Sequence, residues 1–256
     1  MVQNRVLPGL LVLEGKLVKT EKYRKPQYIG DPVNAVKIFN EKEVDELVVC
    51  DISTDRAQRG PNSQLIRRIA DECFMPLTYG GGITNLDQIR TILKLGVEKV
   101  IINSALEHCT RLLSEAASVF GSQCVVASVD VGRDWLGRNK VCFQSGRKVS
   151  SENPESFVTK VISAGAGELI INSIDREASW KGMDIALLSQ ITRIAGVPVI
   201  ASCGAGSIAH IKEAIQEGGA SAVVLGSMSV YQQKGMGVLI NFPTNAQLKE
   251  INYLKK

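Results

Sequence analysis

The chain has 256 residues, of which 45% are apolar and 5% aromatic, and it carries a formal net charge of +4 at pH 7. The apolar content suffices for a large core, the charge is too small and too dispersed to argue for nucleic acid, and the aromatics are too few for base-stacking platforms. No apolar run reaches the roughly 18 residues of a membrane span, and no charged stretch precedes an apolar one at the start, so no membrane association and a cytoplasmic location are expected.

The first predicted strand is residues 5–13, RVLPGLLVL. Residues 15–32 read as a long loop holding Lys16, Lys19, Lys22, Arg24 and Lys25. Such a loop is either a solvated surface or a mobile basic lid over an anionic substrate. Asp31 and Pro32 then open a helix, Asp as N-cap and Pro at the first helical position, with Val33, Val36 and Phe39 on one face. Residues 46–51, ELVVCD, form a nearly continuous apolar run, the pattern of a parallel strand covered on both faces. Further strands are expected at residues 76–80, 99–103, 123–130, 168–173, 198–202 and 221–225. Helices are expected around residues 67–71 and 111–120, from Pro154 to about residue 164, from Asp184, and in the tail from Thr244. Residues 131–150 suit a hairpin that turns at Gly137 and Gly146. Strands alternating with helices in this way predict an α/β chain, a (β/α)8 TIM barrel of about 250 residues, with residues 1–256 as one domain.

Two stretches share a pattern. Residues 76–105 read PLTYGGGITNLDQIRTILKLGVEKVIINSA, and residues 198–228 read PVIASCGAGSIAHIKEAIQEGGASAVVLGSM. Each opens on proline, turns on glycines (Gly80, Gly81 and Gly82; Gly204 and Gly206), carries an amphipathic helix and ends at a serine, Ser104 or Ser227. Pro76 and Pro198 lie 122 residues apart, and the two serines 123. The halves look duplicated, a twofold internal repeat that favours closure into a barrel. Glycine lets backbone approach an anion closely, and a helix N-terminus aims free N–H groups at it. Each half therefore holds a candidate phosphate cup. Turn-making alone would not require the matching serines.

In such a barrel the active site lies at the C-terminal strand ends. Those ends carry Leu11, Asp51, Asn103, Asp130 and Asp175 besides the cups. Each aspartate is either a turn former or a working carboxylate. Two cups with a carboxylate and Lys19 suggest a phosphorylated small-molecule ligand and acid/base chemistry. Asp130 and Lys19 are the candidate catalytic residues. Asp51, Gly81, Gly82, Asn103, Ser104, Asp175, Gly204, Gly206, Gly226 and Ser227 are the candidate ligand-binding ones. The six cysteines form no CxxC pair and suit reduced, buried thiols. His108 and His210, the only histidines, have no metal-ligand spacing, so no metal and no cofactor are expected.

Specific segments carry a resemblance that covers nearly the whole chain: GDPV at residues 30–33, DELV at 45–48, GGGI at 80–83, INS at 102–104, FGSQ at 120–123, GAGE at 165–168, SIDR at 173–176 and GAG at 204–206. By these the chain resembles the HisF family, the cyclase subunit of imidazole glycerol phosphate synthase. The resemblance implies a lyase on a (β/α)8 barrel, with a HisH-like glutaminase docked at the bottom as a heterodimer. Ammonia would pass through the barrel to a substrate with a phosphate at each end, releasing imidazole glycerol phosphate and an aminoimidazole ribotide. Arg5, Glu46, Lys99 and Glu168 align with the charged ring that gates ammonia entry in the family. Arg5 and Leu11 share one strand face, six residues apart, and Thr78 would line the interior between the ends.

The chain departs from the family at its mouth. The family uses an aspartate at the end of strand 1 and another at the end of strand 5. The second is Asp130, but the first falls on Leu11, which has no proton to exchange. Ala178 and Ser179 replace a glycine and a threonine of the family. A kept gate with a lost acid is similar to the HisF-like subset beside sugar amidation enzymes of surface-polysaccharide (lipopolysaccharide) loci. There a HisF-like and a HisH-like protein would feed ammonia to an N-acetyl sugar amidotransferase making acetamidino sugars. The alternatives are a working cyclase in which Asp130, Lys19 and a water cover for Leu11, and a scaffold that only recruits partners.

Overall fold

The computed structural model describes residues 4–53 and 60–252. Eight parallel strands form the barrel: β1 (Arg5–Leu13), β4 (Leu47–Asp51), β5 (Leu77–Gly80), β6 (Lys99–Ile102), β7 (Val125–Arg133), β10 (Glu168–Ser173), β11 (Val199–Ser202) and β12 (Ala222–Leu225). The ring closes because β10 pairs with both β7 and β11, while β12 pairs with β1. The expected (β/α)8 barrel is therefore the observed fold.

The helices packed outside are α1 (Pro32–Glu41), α2 (Ser63–Glu72), α3 (Leu86–Lys94), α4 (Arg111–Phe120), α5 (Pro154–Ser163), α6 (Ile185–Ile194) and α7 (Ile208–Gln216), followed by the short α8 (Ser227–Val230) and the closing α9 (Asn245–Asn252). Six begin at a side-chain cap. Asp31, Asn62, Asn85, Asn153, Asp184 and Ser207 accept amide hydrogens of the first turn, each cap worth about 1 kcal/mol.

Strand alternation sorts side chains into two cores. On β1, Val6, Leu10 and Val12 join the large cluster under the helices, whereas Leu7 joins a smaller one inside the barrel. That inner cluster also contains Val48, Ile101, Val126, Ile170, Ile200, Ala222 and Val224. Arg5, Leu7, Gly9 and Leu11 thus share the inward face, as the spacing predicts.

The repeat is visible element by element. Strand β5 and helix α3 map onto β11 and α7 with a shift of 122 residues, and β6 onto β12 with 123. The caps Asn85 (φ −153°, ψ 167°) and Ser207 (φ −159°, ψ 165°) adopt the same conformation.

The predicted loop at residues 15–32 is instead a β-hairpin. Strand β2 (Lys16–Glu21) runs antiparallel to β1, with Leu11 opposite Val18, and β3 (Arg24–Gly30) runs antiparallel to β2. Its lysines concealed the strand pattern, yet Leu17, Val18, Lys19 and Thr20 are all buried. The hairpin expected after β7 is present, as β8 (Asn139–Phe143) and β9 (Lys148–Val149). Of the expected buried thiols only Cys142 is fully so; Cys50, Cys73, Cys124 and Cys203 are half-buried, and Cys109 is exposed.

Candidate functional site

The barrel interior has three levels. At the foot, where the strands begin, four charges close into a ring. Arg5 pairs with Glu46 at 2.5 Å and with Glu168, and Lys99 Nζ lies 3.0 Å from a carboxylate oxygen of each. The Thr78 hydroxyl donates to Glu46 Oε1 at 2.6 Å. Both glutamates are buried, so each needs the two cations beside it. Burial acts against the Arg5 charge, but Glu168 and Glu46 outweigh it and raise its pKa. All five predicted foot residues are brought together.

Above the ring comes the inner apolar cluster, and above that the mouth. There β7 and β10 present Ser128, Asp130 and Asn172. Asn172 Nδ2 donates to Asp130 Oδ1 at 2.8 Å and to Ser128 Oγ at 3.0 Å. Asn103 Nδ2 donates to the Ser128 carbonyl at 3.0 Å. Asp130 is buried, and burial pushes its carboxyl up to about 6 against the hydrogen bonds from Asn172, Tyr23 and Asn103. A carboxyl with that affinity exchanges protons near neutrality.

The β2–β3 hairpin folds over the mouth and supplies Lys19, Thr20 and Tyr23. Lys19 Nζ pairs with Glu177, whose carboxylate also accepts the Thr20 hydroxyl and the Tyr23 amide, each at 3.2 Å. The Tyr23 hydroxyl donates to Asp130 Oδ1 at 3.3 Å. Burial lowers the Lys19 ammonium to about 8, and it holds the Tyr23 phenol well above its ordinary 10, aided by Asp130. Cys203, next to this group, is pushed up to about 11 by burial. Among the candidates, Lys19 and Asp130 therefore meet at one mouth, although Lys19 is tied to Glu177 rather than to Asp130.

The two cups differ. In the first, Gly81 (φ 134°) and Gly82 (φ 68°) adopt left-handed backbone, and Ser104 starts an exposed turn after β6. In the second, Gly204 has φ 107°, and a Cβ added to Gly206 would stand 2.7 Å from the Trp180 carbonyl oxygen. The Gly206 amide is already committed to His210 Nδ1, at 3.2 Å. A Cβ at Gly226 would lie 3.3 Å from Lys19 Cε, so this cup adjoins the hairpin. The Ser227 hydroxyl is buried with no hydrogen-bond partner among the described residues, a state that natural proteins rarely leave without a reason. Beside it a cavity of about 450 Å³ is lined by Trp180, Gly206, Met228, Gln233 and Lys234.

Asp51 is buried at the end of β4 and accepts the Ser53 hydroxyl at 2.7 Å. Asp175 is exposed on a short turn and stays out of the mouth cluster; Glu177, two residues on, is the buried carboxylate there. Sequence reading missed Glu177, Tyr23 and Asn172. Asn172 had a signal, being polar and in step with Glu168 and Ile170 on the inward face. Glu177 and Tyr23 had none, since their contacts span 158 and 107 residues. No cluster of three or more His, Cys, Asp or Glu among the described residues is placed to hold a metal. No described helix is long and apolar enough to cross a membrane.

A profile of the family described as "Histidine biosynthesis protein" matches residues 5–235. Three relatives, all provisionally named imidazole glycerol phosphate synthase subunits, are similar over almost their full lengths. One named HisF, from Leptospira borgpetersenii, is 46% identical over 95% of this chain and 96% of its own. One named hisF2, from Pseudomonas aeruginosa, is 45% identical over 95% and 97%. One named hisF3, from Vibrio vulnificus, is 40% identical over 98% and 96%.

Proposed function

This chain belongs to the HisF family, and from that premise we propose that it is an ammonia-conducting synthase subunit. A HisH-like glutaminase releases ammonia at the foot. The gas crosses the barrel and leaves at the mouth for an N-acetyl sugar amidotransferase that makes acetamidino sugars for surface glycans.

The observation that carries this reading is a closed charged ring at the foot combined with a hydrocarbon, Leu11, at the mouth. Arg5 and Lys99 each bridge both glutamates, and of the two Lys99, a point charge on a flexible stem, would be the arm that moves. Swinging Lys99 aside opens a way past Glu46 and Glu168. The layer beyond is lined by Leu7, Val48, Ile101, Val126 and Ile170. Such a lining favours neutral ammonia over ammonium, because burying an unpaired cation is costly. Nitrogen would thus arrive as a nucleophile. Losing one general acid or base typically lowers a rate by about 10²–10⁴, which argues against full cyclase chemistry at Leu11. The numbered names hisF2 and hisF3 fit an additional subunit working beside the histidine-pathway one.

The second reading is an active cyclase that makes imidazole glycerol phosphate in histidine biosynthesis. The buried, unpartnered Ser227 hydroxyl favours it, since a strict conduit has no use for a phosphate oxygen there.

One experiment separates the two. The chain is assembled with its glutaminase and given glutamine, and nitrogen transfer to the amidotransferase product is compared with glutamine hydrolysed. Transfer should be coupled in the native complex and uncoupled in Lys99→Glu. Supplied instead with ammonium and the histidine-pathway ribotide, the chain should form little imidazole product. Brisk turnover of that ribotide would overturn the conduit reading in favour of the cyclase.

A further inference from the structure

The geometry points to Tyr23 as a positioning residue for Asp130: its hydroxyl, carried in by the β2–β3 hairpin, supplies the polar partner at the mouth that Leu11 lacks. This inference stands apart from the ammonia reading and concerns only the proton affinity of Asp130.

Three observations support it. The Tyr23 hydroxyl donates to Asp130 Oδ1, the oxygen that also accepts from Asn172. The hairpin leaves β1 beside Leu11, which lies opposite Val18, so the element delivering Tyr23 grows out of the apolar position itself. Finally, the delivery is clamped. Lys19, the Thr20 hydroxyl and the Tyr23 amide all end on the buried Glu177, and the turn holds Lys22 (φ 50°) and Tyr23 (φ 62°) in left-handed backbone. Non-glycine residues adopt that conformation only where their surroundings enforce it.

The charged and titratable groups around this pair assign the role to Tyr23. Lys19 on β2 is paired with Glu177, which follows β10. Cys50 on β4 and Cys203 after β11 face Tyr23, and Cys142 on β8 faces Asp130. Burial pushes the Cys203 and Cys142 thiols up, so both are neutral near pH 7. The donors that favour the Asp130 carboxylate are then neutral ones: the Asn172 and Asn103 amides and the Tyr23 hydroxyl. A hydrogen bond to the charged form of an acid lowers its proton affinity, and removing that bond raises it.

The test is a carboxyl-carbon NMR titration of the full-length protein labelled at aspartate, with Asp130→Asn assigning the resonance. Tyr23→Phe keeps the ring and the amide held by Glu177, so the hairpin stays closed; amide hydrogen exchange across β2 and β3 verifies this. Because the bond is longer than the one from Asn172, Tyr23→Phe should strengthen proton binding at Asp130 by about threefold to tenfold. Tyr28→Phe, an exposed tyrosine of the same hairpin, should leave the midpoint unmoved. An unchanged Asp130 midpoint in a closed Tyr23→Phe hairpin would overturn the assignment, and so would an equal shift in Tyr28→Phe.

Discussion

Asp130→Asn should make this protein more stable at neutral pH. Burial raises the Asp130 carboxyl from its ordinary 3.8 to about 6. The native state therefore binds this proton more tightly than the unfolded chain. The resulting cost is absent below about pH 4, accumulates between about pH 4 and 6, and is complete above that. A rise of about two pKa units, at 1.36 kcal/mol each, amounts to about 3 kcal/mol. Asparagine is close to isosteric and carries no charge, and its Oδ1 still accepts from Asn172 and Tyr23. Neutral bonds are weaker than those to a carboxylate, so a gain of about 2 kcal/mol is expected at pH 7.5. For a chain of this size that is a rise in Tm of about 4–8 °C. Urea denaturation followed by circular dichroism at about pH 4.5, 6 and 7.5 measures it. The reasoning is refuted if the variant gains nothing at pH 7.5, or gains as much at pH 4.5 as at 7.5. Confirmation would mean that the mouth holds a carboxylate at the expense of the fold, as functional sites commonly do.

Two further outcomes test the mouth from other sides. Leu11→Asp should raise turnover of the histidine-pathway ribotide above the native chain by about 10²-fold or more if the pocket at Ala178 and Ser179 accepts it; product formation with ammonium as nitrogen source is the readout, and no gain in a variant shown to bind the ribotide denies that Leu11 is the block. Glu177→Gln should destabilise the protein by about 3 kcal/mol, because Lys19 stays buried without its carboxylate; urea unfolding should show most of that loss recovered in Lys19→Met combined with Glu177→Leu, and no recovery would mean the pair itself holds the hairpin down.

The barrel could be read from the chain because its signals are local. Apolar runs such as ELIINS at residues 168–173 declare strands buried on both faces, and Asp31–Pro32 declares a helix start whatever surrounds it. The foot ring is legible only through the resemblance, since strand-start charges by themselves suit a solvated rim. Charged residues stand at strand starts, and alternation fixes which of them face inward. The mouth was harder, because its geometry depends on how the hairpin folds back. Nothing near Tyr23 says that its hydroxyl ends on a residue 107 positions away. Lys19 stands out in the sequence as a basic group, but its partner Glu177 is invisible there for the same reason. Glutamate at position 177 follows the four matching SIDR positions and looks in the sequence like one more surface charge, whereas it is buried and organises the whole closure. The basic stretch at residues 15–32 misled in the opposite direction. Its lysines left a solvated surface and a basic lid both open, and neither reading contained the strand pairing with β1 that buries the middle of β2.

The internal repeat exposes one further departure, at Cys203. Shifted by 122 residues, Gly81 of the first cup falls on Cys203 of the second, and both have left-handed backbone, φ 134° and φ 74°. Glycine adopts that region freely, whereas a side chain there costs about 1–2 kcal/mol. In ordinary backbone, alanine is more stabilising than glycine by about 0.5–1 kcal/mol. At position 203 the order should invert. Cys203→Gly should be more stable than Cys203→Ala by about 0.5–1 kcal/mol in urea unfolding, since both lose the thiol and only one keeps a Cβ. Alanine equal to or above glycine would mean that the turn tolerates a side chain without strain. The predicted inversion would instead show that the second half keeps cysteine against its backbone preference. The thiol, lying beside Lys19, Asp130 and Tyr23, would then be what holds the position, and the second cup would have diverged from the first at the point where it meets the mouth.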